Sequence, residues 1–488
     1  MKIISRKDEV SVLKEMLTSK VPEFLALYGR RRVGKTFLIR QFFANKKVVF
    51  FNVTGSKNGT MREQIINFTQ CIAETFYGKI ELSEGKNWHE SFRKLTQAMD
   101  QQVPKNKIIV LFFDELPWMA TKRSRLIQNV DYFWNQYWSN DARVKLIVCG
   151  SSALWILDKI IRDKGGLYNR ITKRIHLEPF NLSETKEFLK SKGIKLSNKQ
   201  VLQLYMVTGG IPYYLTYAKK GFTAMQLIEQ MAFSKKSILQ DEFDNLFASL
   251  FNHDEVYREI VRKIAKHRYG VGQRKLLEEL GSYAIGGVCI KKLKMLEEAG
   301  FIMSFMSRYN KKKGIYYRLT DEYTLFYLKW IEPIHHSLQK HALSKGNWQQ
   351  MQNKPEWNNW LGYAFEAVCY KHLSNIREKL GINPIAIADV WRYVPRKHSK
   401  ERGAQIDLLF DREDDAITIC EIKYSDKSYV ITKDFINNIK HKIEVFQKQT
   451  KTKKQLFIGL IFAEGLKNNY YAEENISGIV TLDDLFNV

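Results

Sequence analysis

Three segments of the chain are continuous apolar runs without alternation: residues 24–28 (FLALY), 109–113 within KIIVLFFDELPWM, and 146–149 within VKLIVCGSS. Runs of this kind predict strands buried on both faces, as in a parallel sheet covered by helices. An amphipathic helical pattern follows the first run from residue 35. Strands alternating with helices predict an α/β fold.

Beyond residue 180 the rhythm changes. Residues 183–250 read as helices around TGGIPYYL, a small helical lid. Three short amphipathic helices follow: DEVYREIVRKIAKH, GQRKLLEEL and GGVCIKKLKMLEEAG, the last with Val288, Leu293 and Leu296 apolar. FIMSFMSRYNKKKGIYYRLT then reads as a hairpin with Lys311, Lys312 and Lys313 at its tip. Three helices and a hairpin predict a winged helix. Lys291, Lys292, Lys294 and the tip lysines are candidate phosphate contacts, and they equally fit a solvated face of an interdomain spacer. The aromatic helix LTDEYTLFYLKWIEP predicts core or an interdomain brace.

The polar stretch 334–355 reads as a linker closed by Pro355. Residues 356–374 then predict a helix with Trp357, Trp360, Leu361, Ala364 and Val368 on one stripe. Glu366 falls opposite that stripe, which assigns it to solvent. AQIDLLF, DREDD and AITICEIKY form strand, turn and return strand, followed by a helix (KDFINNIKHKIEVFQKQ) and a strand (QLFIGLIFA). The predicted division is 1–180, 181–250, 251–333, a linker 334–355, and 356–488.

Composition narrows the function. The 488 residues are too many for one core and suggest about three or four domains. A formal net charge of +26 favours a polyanionic partner, DNA or RNA. No run of about 18 apolar residues is present and the N-terminus has no signal-peptide core, so the expectation is a cytoplasmic protein with no membrane partner. Five scattered cysteines without CxxC fit a reduced compartment, and the ten histidines show no zinc spacing.

The strongest chemical signal is Gly29-Arg30-Arg31-Arg32-Val33-Gly34-Lys35-Thr36, a complete G-x-x-x-x-G-K-[ST] match between strand and helix. Its glycines let backbone N–H groups curl around phosphates at a helix N-terminus. Lys35 is expected to reach the β- and γ-phosphates of ATP, and Thr36 to ligate Mg²⁺. Asp114 and Glu115 end the next apolar strand, Asp114 suited to Mg²⁺ and Glu115 to polarising the attacking water. Ser151, after a third strand, is a candidate γ-phosphate sensor, although Gly-Ser-Ser is also a common turn.

With YGRRRVGKT, FFDELPWM, CGSS, LYNRITKRIHLEPFNLSE and TGGIPYYL, residues 1–330 resemble the AAA+ superfamily, specifically bacterial and archaeal ATPases close to the STAND class. The resemblance implies that Pro212, in Gly210-Ile211-Pro212, touches the nucleotide from the lid, and that Arg6 to Glu9 lie near the adenine. It also implies a possible homo-oligomer through the ATPase domain. Arg170 matches a position where an arginine often completes such a site, and it also fits a surface salt bridge.

In the C-terminal third, side chains 407, 419, 421 and 423 share one face if the hairpin turns near Glu413 and position 407 faces 419. Asp407 then lies diagonally beside Glu421, with Lys423 continuing the row. Two adjacent buried carboxylates call for a cation, which suits Mg²⁺ or Mn²⁺, and the lysine suits a scissile phosphate. Asp, thirteen residues, then Glu-x-Lys resembles the PD-(D/E)xK nuclease fold, although Ile406 stands where that pattern has proline. The resemblance implies Asp407, Glu421 and Lys423 as catalytic, Asp407 and Glu421 as metal ligands, and Glu366 on the first helix as a further ligand. Arg392, Arg396, Lys397, Lys400 and Arg402, with Lys451, Lys453 and Lys454, form a basic approach.

The expected fold is therefore an α/β P-loop NTPase of AAA+ type with a helical lid, a winged helix and a C-terminal α/β restriction-endonuclease-like domain. The expected function is ATP binding and hydrolysis coupled to nucleic-acid engagement or cleavage. Two alternatives stand beside it: a DNA-binding ATPase with an inactive nuclease fold, resembling replication initiators, and a STAND-like oligomerising switch.

Overall fold

The computed structural model describes residues 2–487, except 79, 163–166, 236, 252–253, 285–286, 307–308, 310–313, 341–346, 352–353, 396–398, 400, 426 and 468. It divides into two units, 1–179 and 180–488.

The first unit is built on five strands: β1 (Glu23–Tyr28), β2 (Val49–Thr54), β3 (Ile109–Asp114), β4 (Val144–Gly150) and β5 (Lys173–His176). All pair in parallel, in the order β2-β3-β4-β1-β5. The apolar runs of β3 and β4 are buried along their whole length because helices cover both faces. Phe68, Phe92, Phe113 and Trp138 meet edge-on or stacked in the core on one side. This order brings the carboxyl ends of β1, β4 and β3 side by side, where an open α/β sheet receives ligands.

In the second unit, helices Leu182–Ser191 and Asn198–Thr208 begin a helical segment that runs to Leu250. Helices Asp254–Ala265, Gln273–Leu280 and Gly287–Glu298 then accompany β6 (Val271–Gly272), β7 (Ile302–Phe305) and β8 (Tyr316–Leu319), an antiparallel sheet of order β6-β8-β7. On the third helix Leu293 and Leu296 are buried, but Val288 is exposed and Cys289 takes the inward place. Lys291 and Lys294 are exposed, whereas the Lys292 ammonium lies over the Tyr257 ring. The tip lysines Lys311, Lys312 and Lys313 lie outside the described residues.

The expected linker is corrected in part. Residues 335–340 and 347–351 are helical, and Trp348 is buried, stacking on Phe233 and meeting Trp330 and Trp357 edge-on. One large aromatic ring outweighs the polar residues around it, because its burial is worth more than their solvation costs.

The C-terminal sheet contains β9 (Ile387–Tyr393), β10 (Ala404–Asp411), β11 (Ala416–Lys423), β13 (Gln455–Phe462) and β15 (Gly478–Thr481), in the order β15-β13-β11-β10-β9. A separate pair, β12 (Tyr429–Val430) and β14 (Leu466–Lys467), lies outside it. β9, β10 and β11 are antiparallel; β13 returns parallel to β11 after the crossover helix Lys433–Thr450. Among the described residues no helix is long and apolar enough to cross a membrane.

Candidate functional site

In the first unit, Gly29 (φ +148°) and Gly34 (φ +96°) occupy backbone conformations that side chains resist. A Cβ on Gly29 would also meet the Leu177 carbonyl oxygen at 2.2 Å. Two glycines therefore permit the loop that ends at the N-terminus of helix Lys35–Phe43. Arg30 and Val33 are buried, and Arg31 and Arg32 half-buried, within the loop. Lys35 is buried and its ammonium donates to the carbonyls of Gly29 (2.8 Å) and Arg30 (2.9 Å). Its charge is thus held inside the curl of the loop.

Across the sheet, Thr36 Oγ1 donates to Asp114 Oδ2 at 2.8 Å, while Asp114 Oδ1 is buried without a hydrogen-bond partner. An orphaned carboxylate oxygen beside a threonine hydroxyl is a donor set that fits Mg²⁺. Glu115 adopts a left-handed backbone (φ 49°), a strained conformation of the sort found at functional sites. Its Oε2 accepts from both the backbone N–H and the hydroxyl of Ser151, each at 2.9 Å. The candidate sensor and the candidate water-polarising acid therefore touch, a contact the sequence did not predict. Arg6 is buried and donates to the carbonyls of Glu178 (2.8 Å) and Val33, fastening the N-terminal segment to the loop.

Arg170 is not brought to this cluster. It is exposed and precedes β5, whose first residue pairs with Leu25 near the start of β1. The phosphate loop follows the other end of β1, about four residues or roughly 13 Å away. Pro212 opens the short helix Pro212–Leu215 in the second unit.

In the second unit, β10 and β11 pair with Leu408 opposite Cys420 and Leu409 opposite Ile419. The register differs from the expected one: the turn centres one residue later, and continuing the ladder sets Asp407 opposite Glu421 rather than diagonal to it. The parity is unchanged, so the two still share a face. A bulge on β10 between Ile406 and Leu409, relative to β9, falls at Asp407. Bulges re-aim side chains in this way beside functional sites.

Asp407, Glu421, Lys423 and Glu366 line one pocket of about 280 Å³, joined by Lys442. Asp407 Oδ2 accepts from the backbone N–H of Ile422 at 3.2 Å, and Oδ1 from Gln405 at 3.2 Å. Burial, then the charges of Glu421 and Glu366, push its carboxyl up to about 7, against Lys442 and Lys423. Glu421 is buried between Lys423 (2.8 Å) and Lys442 (2.6 Å). Burial works against the Lys423 charge, but Glu421 and Asp407 outweigh it and hold the ammonium above its ordinary value. Lys442 was missed in the sequence. It precedes Ile443 beside the inward stripe Ile436, Ile439 and Phe446, so the helical period did contain the signal.

Glu366 corrects the sequence reading. It is buried because its helix, Pro355–Lys371, is covered nearly all round. Its oxygens meet Arg318 (2.7 Å) and Arg268 (3.1 Å), not Asp407 or Glu421. Among the described residues no three acids, histidines or cysteines are grouped to hold a metal ion. The metal set Asp407, Glu421 and Glu366 is thus not assembled: two arginines neutralise Glu366, and two lysines neutralise Glu421. Arg392 and Arg402 are exposed, whereas Arg396, Lys397 and Lys400 lie outside the described residues.

Residues 3–218 match a family described as an ATPase domain predominantly from Archaea. The parallel sheet and phosphate loop described above have the α/β fold of a P-loop NTPase. Residues 327–455 match a family described as archaeal and bacterial proteins of unknown function. An uncharacterised protein of Methanocaldococcus jannaschii is 26% identical over 87% of this chain and 88% of its own length. An uncharacterised ATP-binding protein of the same organism is 44% identical over 45 residues, 9% of this chain and 76% of that protein. The Walker-type ATPase of Pyrococcus abyssi aligns at TM-score 0.47 and 19% identity, covering 67% of this chain and 96% of its own. The ORC2 protein of Aeropyrum pernix, in ADPNP and ADP complexes, aligns at TM-score 0.45 and 12% identity, covering 70% and 95%.

Proposed function

We propose that this protein binds and hydrolyses ATP and engages nucleic acid, with a winged helix at 254–319 and a PD-(D/E)xK nuclease-like domain at 356–488. The observation that carries the second half is the meeting of Asp407, Glu421 and Lys423 on one pocket, with Asp407 at a bulge and Lys442 beside them. In the ATPase site, Lys35 exchanges loop carbonyls for phosphate oxygens, and Glu115 orients the attacking water once Ser151 releases it. Thr36 and Asp114 would hold Mg²⁺, which neutralises phosphate charge. Arg170, exposed at the other end of its sheet, serves in this reading a neighbouring copy.

In the C-terminal pocket, Lys423 and Lys442 bind the phosphodiester and Asp407 positions against it. Among the described residues no three acids are grouped there to hold Mg²⁺ or Mn²⁺. The test is plasmid cleavage with Mg²⁺ or Mn²⁺, with and without ATP, comparing wild type with Lys35→Ala, Asp407→Ala and Lys423→Ala. Nicking lost in Asp407→Ala and Lys423→Ala supports the reading. Absence of nicking by wild type on DNA and RNA, or equal cutting by Asp407→Ala, removes the nuclease. Nucleic-acid binding without cutting then favours the inactive-fold alternative.

A further inference from the structure

The acid–lysine pocket adjoins a larger cavity of about 550 Å³, and the two share Tyr269, Gln405 and Asp407. The larger cavity has aromatic walls. Phe305 and Tyr316, opposite each other on β7 and β8, stack at 5.6 Å and 21°. Tyr269 is 38% exposed at the junction of the two spaces, with the guanidinium carbons of Arg268 and Arg392 at 5.4 and 5.1 Å from its ring centre. Trp391 (2% exposed) and Arg318 (4% exposed) form buried parts of the same cavity wall.

We propose that this cavity takes unpaired nucleotides, so that single-stranded nucleic acid lies with its bases on the Tyr269 and Phe305–Tyr316 faces and its backbone leading to Asp407. The inference rests on the proposed function of the Asp407 pocket and names its substrate class. Aromatic faces flanked by arginines are the surface on which bases stack and phosphates pair, whatever the sequence. A duplex keeps its bases stacked on one another and has no ring face to offer such walls. The chain's +26 charge supplies the long-range attraction for a polyanion.

The experiment uses the full chain in a chelating buffer at fixed salt. Labelled oligonucleotides are compared by fluorescence anisotropy: single-stranded DNA, single-stranded RNA, and a duplex of the same sequence. Single strands of one or both sugars are expected to bind at least about tenfold tighter than the duplex. Tyr269→Ala and Phe305→Ala should each weaken single-strand binding by roughly 5- to 150-fold, the range for one stacked base, while Tyr269→Phe keeps it. Fluorescence of 2-aminopurine in the strand should fall on binding to wild type and recover in Tyr269→Ala, with the melting profile confirming that the variant is folded. Equal or tighter duplex binding, or wild-type single-strand affinity in Tyr269→Ala, overturns the inference. Single-strand binding through Tyr269 without any cutting defeats only the nuclease reading. Duplex cutting that needs Asp407, without single-strand preference, defeats only this inference.

Discussion

Removal of the Glu366 carboxylate tests what this buried acid does. Arg318 is 4% exposed, its Nη2 bonds Glu366 Oε2 at 2.7 Å, and its guanidinium lies 4.9 Å from the Tyr370 ring centre. In Glu366→Ala that cation stays buried with ring faces as its main compensation. Breaking a buried pair by removing one partner costs about 3–5 kcal/mol. The second partner, Arg268, is 42% exposed at its side chain and adds under about 1 kcal/mol. A chain of two units has no single unfolding transition, so the assay is native-state hydrogen exchange of residues 316–319 and 355–371. Protection there is expected to fall by about two to three and a half orders of magnitude, up to the ceiling set by global unfolding. Glu366→Leu combined with Arg318→Met removes both charges and should recover most of the loss. Protection in Glu366→Ala within about tenfold of wild type would refute the ion-pair account. So would a double variant no better than the single one.

Further outcomes follow from the two sites. Lys35→Ala should abolish ATP hydrolysis, measured by phosphate release, because the loop loses the cation that meets the phosphates. Glu115→Gln should bind nucleotide with near wild-type affinity yet lower kcat by roughly 10²–10⁴-fold, and a mere loss of affinity would place Glu115 outside the chemistry. pH acts on the second unit through two buried groups of opposite sign. His372 is held neutral, Nδ1 donating to the Val368 carbonyl and Nε2 accepting from Leu182 N–H, and burial pushes it down to about 4. Its contribution is complete above its ordinary 6.5 and is lost as pH falls through about 4. Asp407, raised to about 7, contributes fully below its ordinary 3.8 and loses that contribution as pH rises through about 7. The two slopes oppose between them, so Asp407→Asn should steepen the loss of stability with acid from pH 6.5 to about 4, measured by native-state hydrogen exchange of residues 404–423 at each end after correction for the intrinsic exchange rate. An unchanged slope contradicts the assignment.

The phosphate loop was readable because every part of it is local: strand, glycines, lysine and helix lie within twenty residues, and each has one physical job. The face shared by Asp407, Glu421 and Lys423 was readable for a similar reason, since strand parity depends only on the sum of two positions. The register itself was not, because the turn 412–415 places Asp415 at φ 57°, and no glycine or asparagine announces that left-handed step. Glu366 was misread by pattern because amphipathicity assumes one covered face, whereas its helix is covered on nearly all sides. Its arginine partners are 48 and 98 residues distant, beyond what periodicity can see. Trp348 escaped for the opposite reason: one ring in a polar stretch carries the packing that the stretch as a whole does not.

Four of the five cysteines acquire a use from where they sit. Cys149 is the penultimate residue of β4 in the first unit, Cys289 rides the helix Gly287–Glu298, and Cys369 and Cys420 lie on the helix and strand that frame the acid pocket. All four are buried free thiols, and burial pushes each above its ordinary range. Alkylation requires the thiolate, so each reacts only when its own surroundings open. Wild-type protein thus carries a built-in clock at four places, and peptide-resolved labelling with and without ATP would time the opening of each without adding a probe.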